Sequence, residues 1–212
     1  MKKIIFLLAA ASLTAFSVSA QEILVDYRNN IQFGLKIGAN ISNVYDTQGE
    51  KFNADPKFGL VAGAFLAVPI GTFLGIQPEV LFSQKGFRAT GIILGSPYEL
   101  SRTTSFIDIP VLFALKPSAR FTLLAGPQYS YLIRQKDRYT GAPINLEQEQ
   151  AFKNENIRKN LLCFLGGVNF NLNRTILGLR AGWDIQNNNG DGTSTTPRYK
   201  NVWYQVTAGF RF

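Results

Sequence analysis

From residue 31 onward the chain alternates apolar residues with polar or small ones, in successive runs that each break at a turn or loop. The run 201–212 shows this most plainly. Val202, Tyr204, Val206, Ala208, Phe210 and Phe212 share one face of a period-two strand, and Trp203, Gln205, Thr207, Gly209 and Arg211 share the other. The run 31–42 repeats the pattern, with Ile31, Phe33, Leu35, Ile37, Ala39 and Ile41 opposite Gln32, Gly34, Lys36, Gly38, Asn40 and Ser42. Further strands are predicted at 73–86, 104–115, 121–135, 161–172 and 175–186. Their outward faces are led by Val80, Ile109, Leu123, Phe164 and Leu179. The segment 57–68 is apolar or glycine on both faces, which leaves its register open. Pro78 has no N–H to give, so a bulge or a break in the ladder is expected there.

The connections alternate in length. Short turns at 69–72, 116–120 and 173–174 separate longer loops at 43–56, 87–102, 136–160 and 187–200, with a short helix expected near 146–153. Such alternation describes hairpins that run up and down. A tilted strand rising ~3.3 Å per residue crosses an apolar band ~25 Å tall in roughly ten residues, which each run supplies. The predicted fold is therefore all-β, an eight-stranded antiparallel up-and-down transmembrane β-barrel. An even strand number puts both termini on the short-turn, periplasmic side, and the strand 201–212 closes the ring on 31–42.

Composition supports export. Met1-Lys2-Lys3 precedes an apolar stretch, and Val18-Ser19-Ala20 fits the small-residue cleavage rule. The expected organisation is a signal peptide at 1–20, a periplasmic N-terminal segment at 21–30 and an outer-membrane barrel at 31–212. Gln21 after the cut argues against a lipid anchor. The remaining chain carries 20 basic residues against 14 acidic ones, a formal +6, which points to anionic lipid rather than nucleic acid. The single Cys163 reads as a small buried side chain.

Aromatic residues gather at strand ends: Phe73, Phe121, Phe170, Phe210 and Phe212 on the periplasmic side, and Phe82, Tyr129, Tyr131, Trp183 and Tyr204 toward the other rim. These form two girdles. Lys85, Arg88, Arg102, Arg134, Lys136, Arg138, Arg158, Lys159, Arg198 and Lys200 cluster at the outer rim. They read either as a collar for phosphorylated lipid or as solvated loop charge.

Inside, the predicted lumen carries Lys36, Gln77, Glu79, Lys85, Asp108, Gln128, Arg134, Arg180, Asp184, Gln205 and Arg211. A barrel of this size is just wide enough for side chains to fill it. The expected arrangement is a charge-paired network led by Lys36, Glu79, Asp108, Arg180, Asp184 and Arg211, in which Arg180, Lys36 or Arg211 neutralises Glu79 and Asp108. The sharper alternative makes Glu79 and Asp108 a catalytic carboxylate pair or a cation site. The chain has no histidine, which excludes His-dependent mechanisms. The stretch 187–192, with Asp191, faintly resembles a calcium loop but lacks its spaced carboxylates and reads as a turn. No catalytic residue, metal or cofactor is expected.

The segments Gly34-Leu-Lys-Ile-Gly-Ala-Asn-Ile-Ser42, Ile76-Gln-Pro-Glu-Val-Leu-Phe-Ser-Gln-Lys-Gly86, Ile107-Asp-Ile-Pro-Val-Leu-Phe113, Ala125-Gly-Pro-Gln-Tyr-Ser-Tyr131 and Gly209-Phe-Arg-Phe212 resemble the PorT-family outer-membrane β-barrel proteins of the Bacteroidota. The resemblance spans essentially the mature chain. It implies a small non-enzymatic barrel, of which some members assist secretion or gliding machinery, and it carries no ligand site. Expected partners are outer-membrane lipid including lipopolysaccharide, the barrel-assembly machinery reading Phe210 and Phe212, and an envelope protein. Two alternatives stand beside this reading: a narrow pore for ions or small solutes, and a soluble lipocalin-type barrel with its faces reversed. The membrane version predicts recovery with the outer membrane and heat-dependent mobility on a denaturing gel; recovery in the soluble periplasm would exclude it.

Overall fold

The computed structural model describes residues 25–46, 54–93, 96–141, 146–150, 158–188 and 199–212. The expected leader and the stretch around Asp191 lie outside the described residues. The alternating runs form β1 (Gln32–Asp46), β2 (Ala54–Pro69), β3 (Leu74–Ile93), β4 (Ser96–Ser118), β5 (Phe121–Thr140), β7 (Asn160–Leu172), β8 (Thr175–Asp184) and β9 (Tyr199–Arg211). A short β6 (Leu146–Gln150) lies between β5 and β7. Neighbours pair antiparallel in the order β4-β3-β2-β1-β9-β8-β7-β5, and a β4–β5 pairing closes the ring at eight strands.

The β1–β9 seam runs from Gly34↔Arg211 to Asp46↔Tyr199. At its lower end the Phe212 N–H donates to the Phe33 carbonyl at 2.9 Å. The Phe212 ring stacks on Phe33 at 5.9 Å and meets Phe210 edge-on at 5.4 Å.

The two faces of the barrel are sorted as in a membrane protein. Ile37, Phe58, Phe113, Leu123 and Val206 are exposed on the outside, while Lys36, Asn40, Glu79, Asp108, Ser130 and Arg180 are buried inside. An apolar exterior of this extent is unfavourable in water and suited to hydrocarbon. The reversed, soluble arrangement is thereby excluded. The open register of β2 is settled by its two neighbours: Val61 and Phe65 face in, and Phe58, Leu60 and Leu66 face out. Gly34 pairs directly with Phe65, and a β-carbon on Gly34 would run into the Phe65 ring. The missing side chain is what admits the ring to the lumen.

Of the bulge or ladder break expected at Pro78, the break is found: the β2–β3 pairing passes from Phe65↔Glu79 to Val68↔Ile76 without a pair at Pro78, while Pro78↔Val111 and Leu81↔Asp108 keep one register on the β4 side. Several expectations are corrected. The β2–β3 irregularity falls between Pro56 and Val61. The region 87–102 is mostly strand rather than loop, with pairing continued to Ile93↔Ser96. Of the helix expected near 146–153, the described residues Leu146–Gln150 are instead a strand that pairs with the outer end of β5, from Tyr139↔Leu146 to Gln135↔Gln150; 151–153 lie outside the described residues. The upper part of β5 lies beyond its β7 pairing, and an unpaired strand edge is a template for another strand. Arg134 is exposed rather than inward. The ladder shifts between Ser105↔Arg134 and Phe106↔Leu132, so the extra residue reverses the faces and turns Gln135 and Asp137 inward.

The strands differ in height. β8 has 10 residues, while β3, β4 and β5 have 20, 23 and 20. Since roughly ten tilted residues cross the apolar band, these three rise well beyond it on the long-loop side. At the opposite mouth, residues 25–31 lie across the opening. The Val25 N–H donates to Asn173 Oδ1 at 3.0 Å, Lys116 Nζ donates to the Arg28 carbonyl, and the Arg28 guanidinium sits 5.5 Å from the Phe73 ring centre. Asp26 pairs with Arg28 at 2.7 Å, and that hydrogen bond holds the Asp26 carboxyl below its ordinary pKa.

Removing Phe212 deletes one seam hydrogen bond and two ring contacts, each pair of rings contributing ~0.5–1.5 kcal/mol beyond simple burial. The truncated chain is expected to unfold at lower denaturant and to accumulate less as the heat-modifiable folded form. Wild-type unfolding together with wild-type membrane levels would contradict this.

Candidate functional site in the lumen

The alternation of β3 aims Gln77, Glu79, Leu81, Ser83 and Lys85 inward at successive heights. Glu79 is the hub of the middle level. Lys36 Nζ from β1 donates to Oε1 at 2.7 Å, and Arg180 from β8 grips both carboxylate oxygens at 2.7 and 2.8 Å. Gln77 Nε2 donates to Oε1 at 2.6 Å. Glu79 and Arg180 are almost fully buried, so this one carboxylate ties β1, β3 and β8 together across the lumen.

Toward the outer side, Lys85 pairs with Asp108 at 3.2 Å and lies 3.7 Å from the Trp203 ring centre and 4.8 Å from that of Phe106. Trp203 is the largest fully buried side chain, and Gly182 makes its room: a β-carbon there would strike the indole ring. Beside this level Asp184 accepts from the Asn201 N–H at 2.9 Å, from Asn201 Nδ2, from Asn188 Nδ2 at 3.3 Å and from Cys163 Sγ at 3.1 Å. Higher still, Arg102 forms a two-pronged bond to Asp137 at 2.8 and 2.7 Å and donates to the Tyr199 hydroxyl at 3.0 Å.

At the short-turn end Arg211 donates to Gln32 Oε1 and to Asn171 Oδ1 at 2.9 Å, with its guanidinium 5.0 Å from the Tyr27 ring centre.

The six residues singled out from sequence are all buried in the lumen, yet they do not form one cluster. Lys36, Glu79 and Arg180 come together. Asp108 is neutralised by Lys85, Asp184 is held by neutral donors, and Arg211 stands apart and neutralises neither carboxylate. Glu79 and Asp108 each have their own cation and are not assembled as a carboxylate pair. Among the described residues, no group of three or more His, Cys, Asp or Glu side chains is placed to hold a metal ion. Sequence reasoning missed the Arg102–Asp137–Tyr199 level, because those positions read as loop. It also missed the packing of Tyr27 and Arg28, whose segment has no periodicity.

Residues 19–186 match the family model for the outer membrane protein beta-barrel domain. The chain belongs to that family. No curated protein matches this outer-membrane barrel. Among solved structures it is similar to Neisserial surface protein A, with 10% identity and a TM-score of 0.51 over 85% of this chain and 97% of that one. It is also similar to Ail, the attachment invasion locus protein of Yersinia pestis, with 12% identity and a TM-score of 0.49 over 86% and 99%. A third is the N-terminal β-barrel domain of Pseudomonas aeruginosa OprF, with 8% identity and a TM-score of 0.40 over 84% and 97%.

Replacing Glu79 with Gln strands two cations in the lumen and is expected to cost about 3–5 kcal/mol. Converting the whole level to apolar residues (Glu79→Leu, Lys36→Met, Arg180→Met) should recover most of that loss. Denaturant unfolding of the folded barrel in micelles measures both, and a Glu79→Gln protein as stable as wild type would show that the level contributes nothing.

Proposed function

We propose that this outer-membrane barrel is a non-enzymatic component of the cell envelope that works through its surfaces rather than its lumen, as a PorT-type accessory protein of the Bacteroidota. The observation that carries the reading is the Glu79 level: one carboxylate held by cations from two other strands bridges across the lumen of a narrow barrel. The Lys85–Asp108–Trp203 and Arg102–Asp137 levels lie above it, and the Arg211 level lies below. Leu112 and Leu124 add apolar bulk to the same interior. A narrow pore would need a continuous hydrated path through all of these.

The surfaces offer more. β3, β4 and β5, with β6 on the edge, extend past the apolar band and present the partner-binding face of this reading. Exposed Arg88, Arg134 and Arg138 lie on it, suited to the phosphate groups of lipopolysaccharide at the outer leaflet. Phe210 and Phe212 serve as the signal for the barrel-assembly machinery, and the leader at 1–20 is cleaved on export. In planar bilayers the purified protein is expected to give no steady conductance, whereas a Glu79→Ala, Arg180→Ala double variant that still folds should give small openings. Large, stable wild-type channels would overturn the closed-lumen reading.

A further inference from the structure

Among the described residues, the buried cations of this barrel follow one rule with two exceptions. Lys36, Lys85 and Arg180 each pair with a carboxylate. Arg211 and Lys116 do not. Arg211, 4% exposed, donates only to the neutral amides of Gln32 and Asn171, and its buried Nε–H has no partner. Lys116, 9% exposed, donates only to the Arg28 and Gly71 carbonyls, the latter at 3.0 Å. Both line the same polar vestibule, a cavity of about 40 Å³ beneath the segment 25–31, together with Gln77, Thr122, Asn169 and Asn171. Arg28 also borders it, but Asp26 already neutralises that guanidinium. No carboxylate side chain is among the described residues that line the cavity.

We infer that this vestibule is a binding site for a small free oxyanion of the phosphate or sulfate class. Burying positive charge without a counterion is costly, and the other buried cations among the described residues are each met by Glu or Asp. Here the missing countercharge is supplied from solution. Arg211 offers an unused N–H beside its occupied ones, Lys116 holds a third ammonium proton beyond its two carbonyl bonds, and the amides of Gln77, Asn169 and Thr122's hydroxyl complete a polar lining. A cavity of this size holds about three waters, each needing ~10–15 Å³, or one small anion in their place. A lipid headgroup or a nucleotide is too large. The bound anion also lies where the segment 25–31 meets the barrel wall, between Tyr27 over Arg211 and the Arg28 carbonyl on Lys116. Its occupancy therefore joins the N-terminal segment to the ring.

Inorganic phosphate titrated calorimetrically into the full-length folded barrel in neutral detergent, at constant ionic strength, tests the site. Wild type is expected to bind saturably with about one anion per chain. Lys116→Gln and Arg211→Gln should each weaken binding at least ~10-fold, the size of a lost charge-assisted hydrogen bond, while Lys57→Gln at the opposite end should bind as wild type. Heat-dependent mobility establishes that each variant is folded. Should Arg211→Gln fail to fold, Lys116→Gln, at the mouth of the cavity, decides the matter alone. Binding that does not saturate, or that is unchanged in the folded Lys116→Gln protein, would overturn the proposal.

Discussion

Hydrocarbon leaves a backbone N–H or C=O no partner but another strand, and this structure depends on that constraint throughout. A sheet that crosses a membrane must close, and here closure happens at the β4–β5 pairing and along the β1–β9 seam. With eight strands the enclosed volume is fixed within narrow limits, and what lies inside must fill it. The usual order of a soluble protein is inverted: the apolar side chains face the solvent, which is lipid, and the polar ones form the interior.

An interior of that kind is stable only if its charges are matched. Glu79 illustrates the solution, since one carboxylate satisfies a lysine and an arginine from two other strands and takes a further amide bond from Gln77. Lys85 shows a second solution, in which a carboxylate is supplemented by the faces of Trp203 and Phe106. Removing either kind of partner leaves a charge that cannot reach water, so these levels define the shape of the lumen as well as its polarity. Among the described residues, Arg211 and Lys116 lie at the one level where buried cations have no carboxylate within ion-pair distance, and it is the level closest to the short turns.

The exterior divides by the same logic. Where lipid surrounds the barrel, the strands alternate strictly and end in aromatic contacts such as Phe121 with Phe170 and Phe164 with Trp183. Above the lipid, β3 to β5 are freed from that demand. Their outward face carries arginine and lysine, a bulge at Arg134 changes which residues face in, and β6 is recruited along a free edge. This part of the barrel is held by its own ladder and by Arg102 on Asp137, independently of the membrane.

The local pattern of apolar and polar residues was enough to determine the eight barrel strands, the closure of the last strand on the first and the inward and outward faces of the predicted strand runs other than 57–68 and Arg134, because a period of two is a property of neighbouring residues alone. Burial of Lys36, Glu79, Asp108, Arg180, Asp184 and Arg211 followed from the same parity. Which of them meet did not, since partners on β1, β3 and β8 are brought together by shear and curvature of the closed ring. Arg211 was a plausible partner for Glu79 on paper and stands at another level in space. The face of Arg134 depended on one bulge, the strand at 146–150 on an edge waiting for it, and the packing of Tyr27 and Arg28 on a mouth formed by turns distant in sequence. Periodicity sees along a strand; only the assembled barrel sees across it.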